Sequence, residues 1–125
     1  MSPPAEPNRT IVVLAAHGSR ADAANEAHRV LAADLARRSG TDVVPAFLEL
    51  EDPDIGSAVD LSVEAGAATV RVLPFFLHPG RHLSEDVPRI VADAASRHPR
   101  VTVELMDYFG GDPGVVEILS AAITR

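Results

Sequence analysis

Apolar residues along this chain follow two alternating patterns. Ile11-Val12-Val13-Leu14-Ala15-Ala16 is an unbroken apolar run, and Val70-Arg71-Val72-Leu73-Pro74-Phe75-Phe76-Leu77 is a second, broken only by Arg71. Such runs predict strands buried on both faces, as in a parallel sheet. The stretches between them carry apolar residues at three- and four-residue spacing, which predicts amphipathic helices. Read in order, the first strand covers Thr10 to Ala16, and a helix follows with Ala27, Val30, Leu31 and Leu35 on one face until Gly40 ends it. Asp42 to Leu48 is the second strand. Asp52-Pro53 then offers an N-cap and a first-turn proline for a helix whose buried stripe is Ile55, Ala58, Val59 and Val63, stopped by Gly66. Thr69 to Leu77 is the third strand. The third helix starts between Ser84 and Pro88, with Val87, Ile90, Val91, Ala94 and Ala95 as its apolar face. Val101 to Met106 is the fourth strand, and Asp112-Pro113 opens a last helix expected to turn Val116, Leu119, Ala122 and Ile123 inward.

Strand-helix alternation implies right-handed crossovers and an α/β fold. The expectation is a four-stranded parallel sheet flanked by helices, in the flavodoxin-like strand order two-one-three-four. The first and third strands are then neighbours, and the winding reverses between them. A crevice opens at such a switch point, beyond the carboxyl ends of the strands.

Composition narrows the picture. At 125 residues one domain is expected, residues 9–125, long enough to bury about two-thirds of its unfolded surface without a staple. Aromatics are only 4% against 46% hydrophobic residues, so the core must be aliphatic. The absence of cysteine excludes disulfides, thiolate metal sites and cysteine nucleophiles. Residues 1–8 contain three prolines and no apolar block, so they read as a loose, disordered tail rather than a signal peptide. No run reaches the roughly 18 apolar residues of a membrane span, and a cytoplasmic location is the expectation. The net charge of −7 disfavours nucleic acid, which selects basic surfaces. It also repels polyanionic small molecules at long range, so an acidic ligand would need arginines close to its site.

Both long apolar runs end in histidine-bearing segments, His17-Gly18-Ser19-Arg20 and His78-Pro79-Gly80-Arg81-His82. His17 and His82 thus emerge at the face where open sheets bind ligands, and Glu49 follows the second strand next door. Two imidazoles and a carboxylate can ligate a first-row divalent metal or move protons near neutral pH. The set is open and incomplete, unlike a closed four-ligand structural zinc site. It suits a metal that must leave, or one that activates water. Each residue also has a plainer reading. His17 is then a turn residue on the sheet edge, His82 a solvated loop residue, Glu49 one charge in Glu49-Leu50-Glu51-Asp52, and Arg20 and Arg81 ordinary surface arginines. Glu51 and Asp52 are expected outside the site, Glu51 in the loop. His28 and His98 fall in helices and carry no assigned role. Phosphatase, G-x-S-x-G, P-loop and G-x-G-x-x-G patterns are all missing from the sequence.

The segment Val12 to Arg20, with its His-Gly-Ser, resembles the opening of the CbiX/SirB sirohydrochlorin chelatases. Ala46-Phe47-Leu48-Glu49-Leu50 is similar to that family's next motif. Gly80-Arg81-His82 with Asp86-Val87-Pro88 resembles its G-x-H-x-x-x-D-[IV]-P signature. The resemblance implies insertion of cobalt or iron, with nickel sharing the same ligands, into sirohydrochlorin for cobalamin or siroheme synthesis. It implies no ATP and no tightly bound cofactor; the divalent metal is a substrate. It implies that His17 and His82 bind metal and take pyrrole protons, that Glu49 assists, and that the active unit is a homodimer. Gly18, Ser19, Arg20, Gly80 and Arg81 would then bind the substrate's carboxylates. His78 departs from the family pattern. A non-catalytic metal or tetrapyrrole carrier with the same fold stands as the alternative, and a metal-dependent hydrolase as a third reading.

Overall fold

The apolar runs pair side by side in a computed structural model that describes residues 9–125; the expected tail, residues 1–8, lies outside the described residues. Strands β1 (Thr10–Ala16), β2 (Asp42–Phe47), β3 (Thr69–Pro74) and β4 (Thr102–Leu105) form one parallel sheet in the order β2-β1-β3-β4. In register, Ala16 lies opposite Phe47 and Ala15 opposite Pro74. β1, β2 and β3 therefore end at one level, and the loops that follow them share one edge.

Helices α1 (Asp22–Ser39), α2 (Ile55–Glu64), α3 (Val87–Arg97) and α4 (Pro113–Ile123) fill the connections. Beneath α2 and α3 the core is built from Ile11, Val13, Val70 and Val72 of the sheet with Val59, Val87 and Val91 of the helices, all buried. It is aliphatic, as the composition requires. Burial of each such side chain is worth about 1.5–3 kcal/mol. Asp60 of α2 clamps α3 by accepting from His98 Nε2 at 2.6 Å and from Arg97 Nη2 at 3.1 Å.

The element boundaries show which expectations yield to tertiary structure. β3 stops at Pro74, not Leu77, because the chain leaves the sheet after Phe75 N–H donates to Ala15 O at 2.7 Å. β2 likewise ends at Phe47 rather than Leu48. The N-cap of α2 is Asp54, not Asp52: its carboxylate accepts from Ser57 N–H at 2.7 Å, while Pro53 O is engaged by Phe47 N–H at 3.0 Å and so belongs to the turn. On α1 the buried line is Asn25, His28 and Ala32, while Ala27 and Val30 face solvent. Polar side chains occupy that line because each satisfies backbone groups at the sheet edge, His28 Nε2 reaching Leu14 O at 2.8 Å.

The largest departure is α4. Asp112 caps it as expected, accepting from Gly114 N–H at 2.7 Å. Yet Val116, Leu119 and Ile123 are 68%, 56% and 83% exposed, and Ala122 is exposed too. The helix packs chiefly on the 3-10 turn Phe109–Gly111. Helices do flank both sheet faces, but among the described helices α1 alone covers its face, packing on β2.

Candidate functional site

The first two strands stay hydrogen-bonded beyond the sheet, and this places the site. Leu48 N–H donates to Ala16 O at 2.8 Å and Glu49 N–H to His17 O at 3.1 Å. Gly18 makes this approach possible. Its φ is +96°, and a Cβ there would sit 1.8 Å from Glu49 O, so only glycine fits. His17 Nδ1 thereby lies 3.7 Å from Glu49 Oε1.

His82 arrives from the other side of β1. The chain after β3 runs through Phe75 to Arg81 and enters one π-type turn, His82–Asp86, which leads into α3. His82 thus stands on a helical turn rather than in a loop, and the helical segment begins before the expected Ser84. Wide turns of this kind recur at functional sites. The rings of His17 and His82 meet edge to face, with centroids 5.0 Å apart and planes at 79°. One ligand atom each from His17, Glu49 and His82 lies within 4.8 Å of the others, and all three residues are exposed. His17 and His82 line a cleft of about 360 Å³ whose walls also include Phe75, Phe76, Leu77 and Leu83, together with His78. Phe76 packs against the His17 ring at 6.3 Å. An apolar wall beside nitrogen and oxygen ligands can hold a flat macrocycle and a metal at once.

Behind the trio stand residues to which the sequence assigns no role by itself, although Asp86 belongs to the signature quoted above. Asp86 accepts from His82 Nδ1 at 2.8 Å. A carboxylate only accepts, so Nδ1 carries the proton and Nε2 keeps its lone pair for a metal or a proton. The signal was present in the sequence: Asp86 follows His82 by four residues, one helical turn. Asn25, 3% exposed, pins the His17 loop. It donates to Ser19 O at 2.8 Å and accepts from Ser19 N–H at 3.0 Å. Its Nδ2 also reaches Glu51 Oε2 at 3.4 Å, and Arg29 Nη2 lies 3.0 Å from the same oxygen. The Arg29 hydrogen bond holds the Glu51 carboxyl below its usual range. Glu51 sits in the turn as expected, where it ties the first two site loops to α1.

The remaining candidates are less engaged. Ser19 N–H is already donated to Asn25, so it is not free for a ligand, and Ser19 Oγ accepts from Ala21 N–H at 3.0 Å. The Ser19 hydroxyl proton is what this residue can still offer. Arg20 is exposed, and the Arg81 side chain is 84% exposed with Nε 3.5 Å from Glu85. Among the described residues neither arginine bonds to the trio. Gly80 has open space around its Cβ position, so no close approach demands glycine there. His28 and His98 are taken up in packing.

The site has counterparts in known proteins. A segment of the chain is 40% identical over 85 residues to the chloroplastic sirohydrochlorin ferrochelatase of Arabidopsis thaliana, covering 67% of this chain and 38% of that protein. Another match, 33% identical over 81 residues, is to a sirohydrochlorin cobaltochelatase of Methanococcus maripaludis and covers 64% of this chain and 56% of that one. The chain therefore spans well under two-thirds of the length of these curated relatives. The crystal structure of a CbiX protein from Marinobacter aquaeolei VT8 superposes with a TM-score of 0.81 at 26% identity, over 94% of this chain and 93% of that one. The profile of the CbiX family matches residues 11–125. With a matching fold, and with His17, Glu49 and His82 gathered at one sheet edge, the chain belongs to the CbiX family.

Proposed function

We propose that this protein inserts a divalent metal, cobalt(II) or iron(II), into sirohydrochlorin on the way to cobalamin or siroheme, without ATP and without a tightly bound cofactor. The observation that carries this reading is the open His17–Glu49–His82 trio, its ligand atoms within 4.8 Å of one another, beside a cleft walled by Phe75 and Phe76. The similar proteins of Arabidopsis and Methanococcus, named as iron and cobalt chelatases of this macrocycle, support it.

Insertion exchanges two pyrrole N–H protons for one M²⁺. His82, its Nδ1 proton held by Asp86, offers Nε2 first as a metal ligand and then as a base for one proton. His17 takes the other. Glu49, 3.7 Å from His17, stabilises the imidazolium that forms and passes the proton to water. Among the described residues no fourth ligand joins the trio, which leaves coordination positions open for transfer of the metal. The substrate's carboxylates meet Arg20, Arg81, the Gly18 N–H, the Ser19 hydroxyl and the uncrowded backbone at Gly80. These local cations offset the long-range repulsion of a chain with net charge −7.

The chelatase domain spans residues 9–125, acts as a homodimer, and works in the cytoplasm; no described helix is long and apolar enough to cross a membrane. The test is anaerobic incubation of sirohydrochlorin with each metal in turn, following the absorbance change of the macrocycle. A chelatase turns over many times per chain. Product capped at one equivalent would make the protein a carrier, and no metallated product with any metal would end the proposal.

A further inference from the structure

One residue of the site loops is both strained and exposed. Leu50 has φ +70°, and among the described residues it alone, glycine apart, has a positive φ. That left-handed region crowds Cβ against the backbone. Asparagine and glycine enter it readily, whereas a bulky side chain there is an outlier. Leu50 is also 56% exposed, so packing within the chain returns little for the strain.

The strained conformation is held from both sides. Glu49 N–H donates to His17 O at 3.1 Å. On the other side, the Glu51 carboxylate accepts from Asp52 N–H at 3.0 Å and has Arg29 Nη2 at 3.0 Å. Leu50 is therefore fixed one peptide from the carboxylate of the trio. Backbone strain that persists between anchored neighbours clusters where ligands are gripped.

The position of Leu50 says which ligand. β1, which carries His17, lies between β2 and β3. Neighbouring strands are about 4.8 Å apart, so the loops after β2 and β3 stand on opposite sides of His17, roughly 10 Å from each other. On the β3 side Phe75, Phe76 and Leu77 wall the cleft, Leu77 being 59% exposed. On the β2 side Leu50 is the one large exposed apolar residue of the turn 48–54. A flat macrocycle centred on a metal at the trio overhangs both sides.

We propose that Leu50 is a second apolar support for the macrocycle, bearing on sirohydrochlorin across the metal from Phe75, Phe76 and Leu77. The strained backbone is what presents its side chain there. The inference rests on the chelatase reading for the identity of the macrocycle, and it adds a specificity-determining contact that touches no metal.

Titration of metal-free sirohydrochlorin into the wild type, Leu50→Asn, Leu50→Gly and Leu50→Met, followed by the absorbance of the macrocycle, tests it. Cobalt(II) alone is titrated into the same four proteins. Leu50→Asn should melt higher than the wild type, because asparagine adopts the left-handed region at less cost. Leu50→Asn and Leu50→Gly should each bind the macrocycle about tenfold or more weakly, the scale of a lost apolar contact. Leu50→Met keeps an apolar side chain and should recover most of that affinity. Cobalt(II) affinity should match the wild type throughout, since Glu49 keeps its place. Unchanged macrocycle affinity in both Leu50→Asn and Leu50→Gly overturns the contact. So does a parallel loss of cobalt(II) affinity, because Leu50 would then act by placing Glu49, and so does a lowered Tm in Leu50→Asn, because its side chain would then serve the fold. A wild type that binds sirohydrochlorin yet inserts no metal ends the chelatase reading, while the affinity comparison still decides the contact. A wild type that binds no sirohydrochlorin overturns both.

Discussion

His82 keeps its proton on the nitrogen that faces Asp86, 2.8 Å away, and this pairing separates two variants at neighbouring residues. His82→Ala removes a ligand and a base together and should abolish metal insertion. Because the residue is exposed, the fold should survive, and circular dichroism checks that. Asp86→Asn keeps the ligand but loosens its orientation and tautomer. It should lower metal affinity or turnover by about 10- to 100-fold, the usual effect of losing a group that supports a ligating histidine. Wild-type turnover in either variant would remove the residue from the mechanism. Glu49 and Glu51 are separated by the same logic. Glu49→Gln should slow turnover by about 100-fold, as loss of a proton-transfer group does. Glu51→Gln weakens a solvent-screened pair with Arg29, so its turnover should stay near the wild type. Equal rates for the two would reduce Glu49 to a surface charge.

Two elements depend on contacts that no local pattern announces. The β1–α1 loop needs a positive φ at Gly18 and the space beside Glu49 O. Gly18→Ala should cost at least about 1–3 kcal/mol in backbone strain, read as a lowered Tm, and should cut activity further by moving His17 away from Glu49. The α2–α3 clamp centres on Asp60. Burial alone would raise its carboxyl, but hydrogen bonds from His98 and Arg97 outweigh burial and hold it below the usual range. The unfolded chain therefore binds that proton more readily than the folded one. The clamp's contribution is present above the unfolded aspartate value of about 3.9 and is lost as pH falls through the lower folded value. Thermal melts should show Tm falling across that acid range, with a shallower fall in Asp60→Asn. The difference should be small, because Asp60 is partly exposed and screened.

Over the whole molecule, the metal site and the sheet are separable. The core under α2 and α3 is aliphatic and offers no metal ligand, so a chelator should leave the Tm of the protein as purified unchanged. Cobalt(II) binds the folded trio and should raise Tm by mass action, by about 2.7 kcal/mol at a hundredfold excess over its dissociation constant. His17→Ala and His82→Ala should remove that shift. A chelator-induced drop in Tm would instead mark a structural metal. Stability should also fall at low protein concentration if the exposed face of α4 is covered only by a second copy.

Much of this protein was legible in its residues, because the physics behind those features is local. Apolar runs of strand length, helical spacing and the cap at Asp112-Pro113 determine the elements, and their alternation determines a parallel sheet through the handedness of the crossovers. The two runs that end in histidine mark the site, since strand ends in such a sheet share one edge. What the chain could not announce is long-range. Asn25 and His28 occupy an interior line of α1 because backbone groups of distant strands and loops await them there. Asp54 displaces Asp52 as the cap because Pro53 O is claimed by β2. The apolar stripe of α4 was visible, but a stripe states only that a face must be covered. The course of the helix is decided by the turn at Gly110, bolted to the loop after β3, which leaves that stripe exposed.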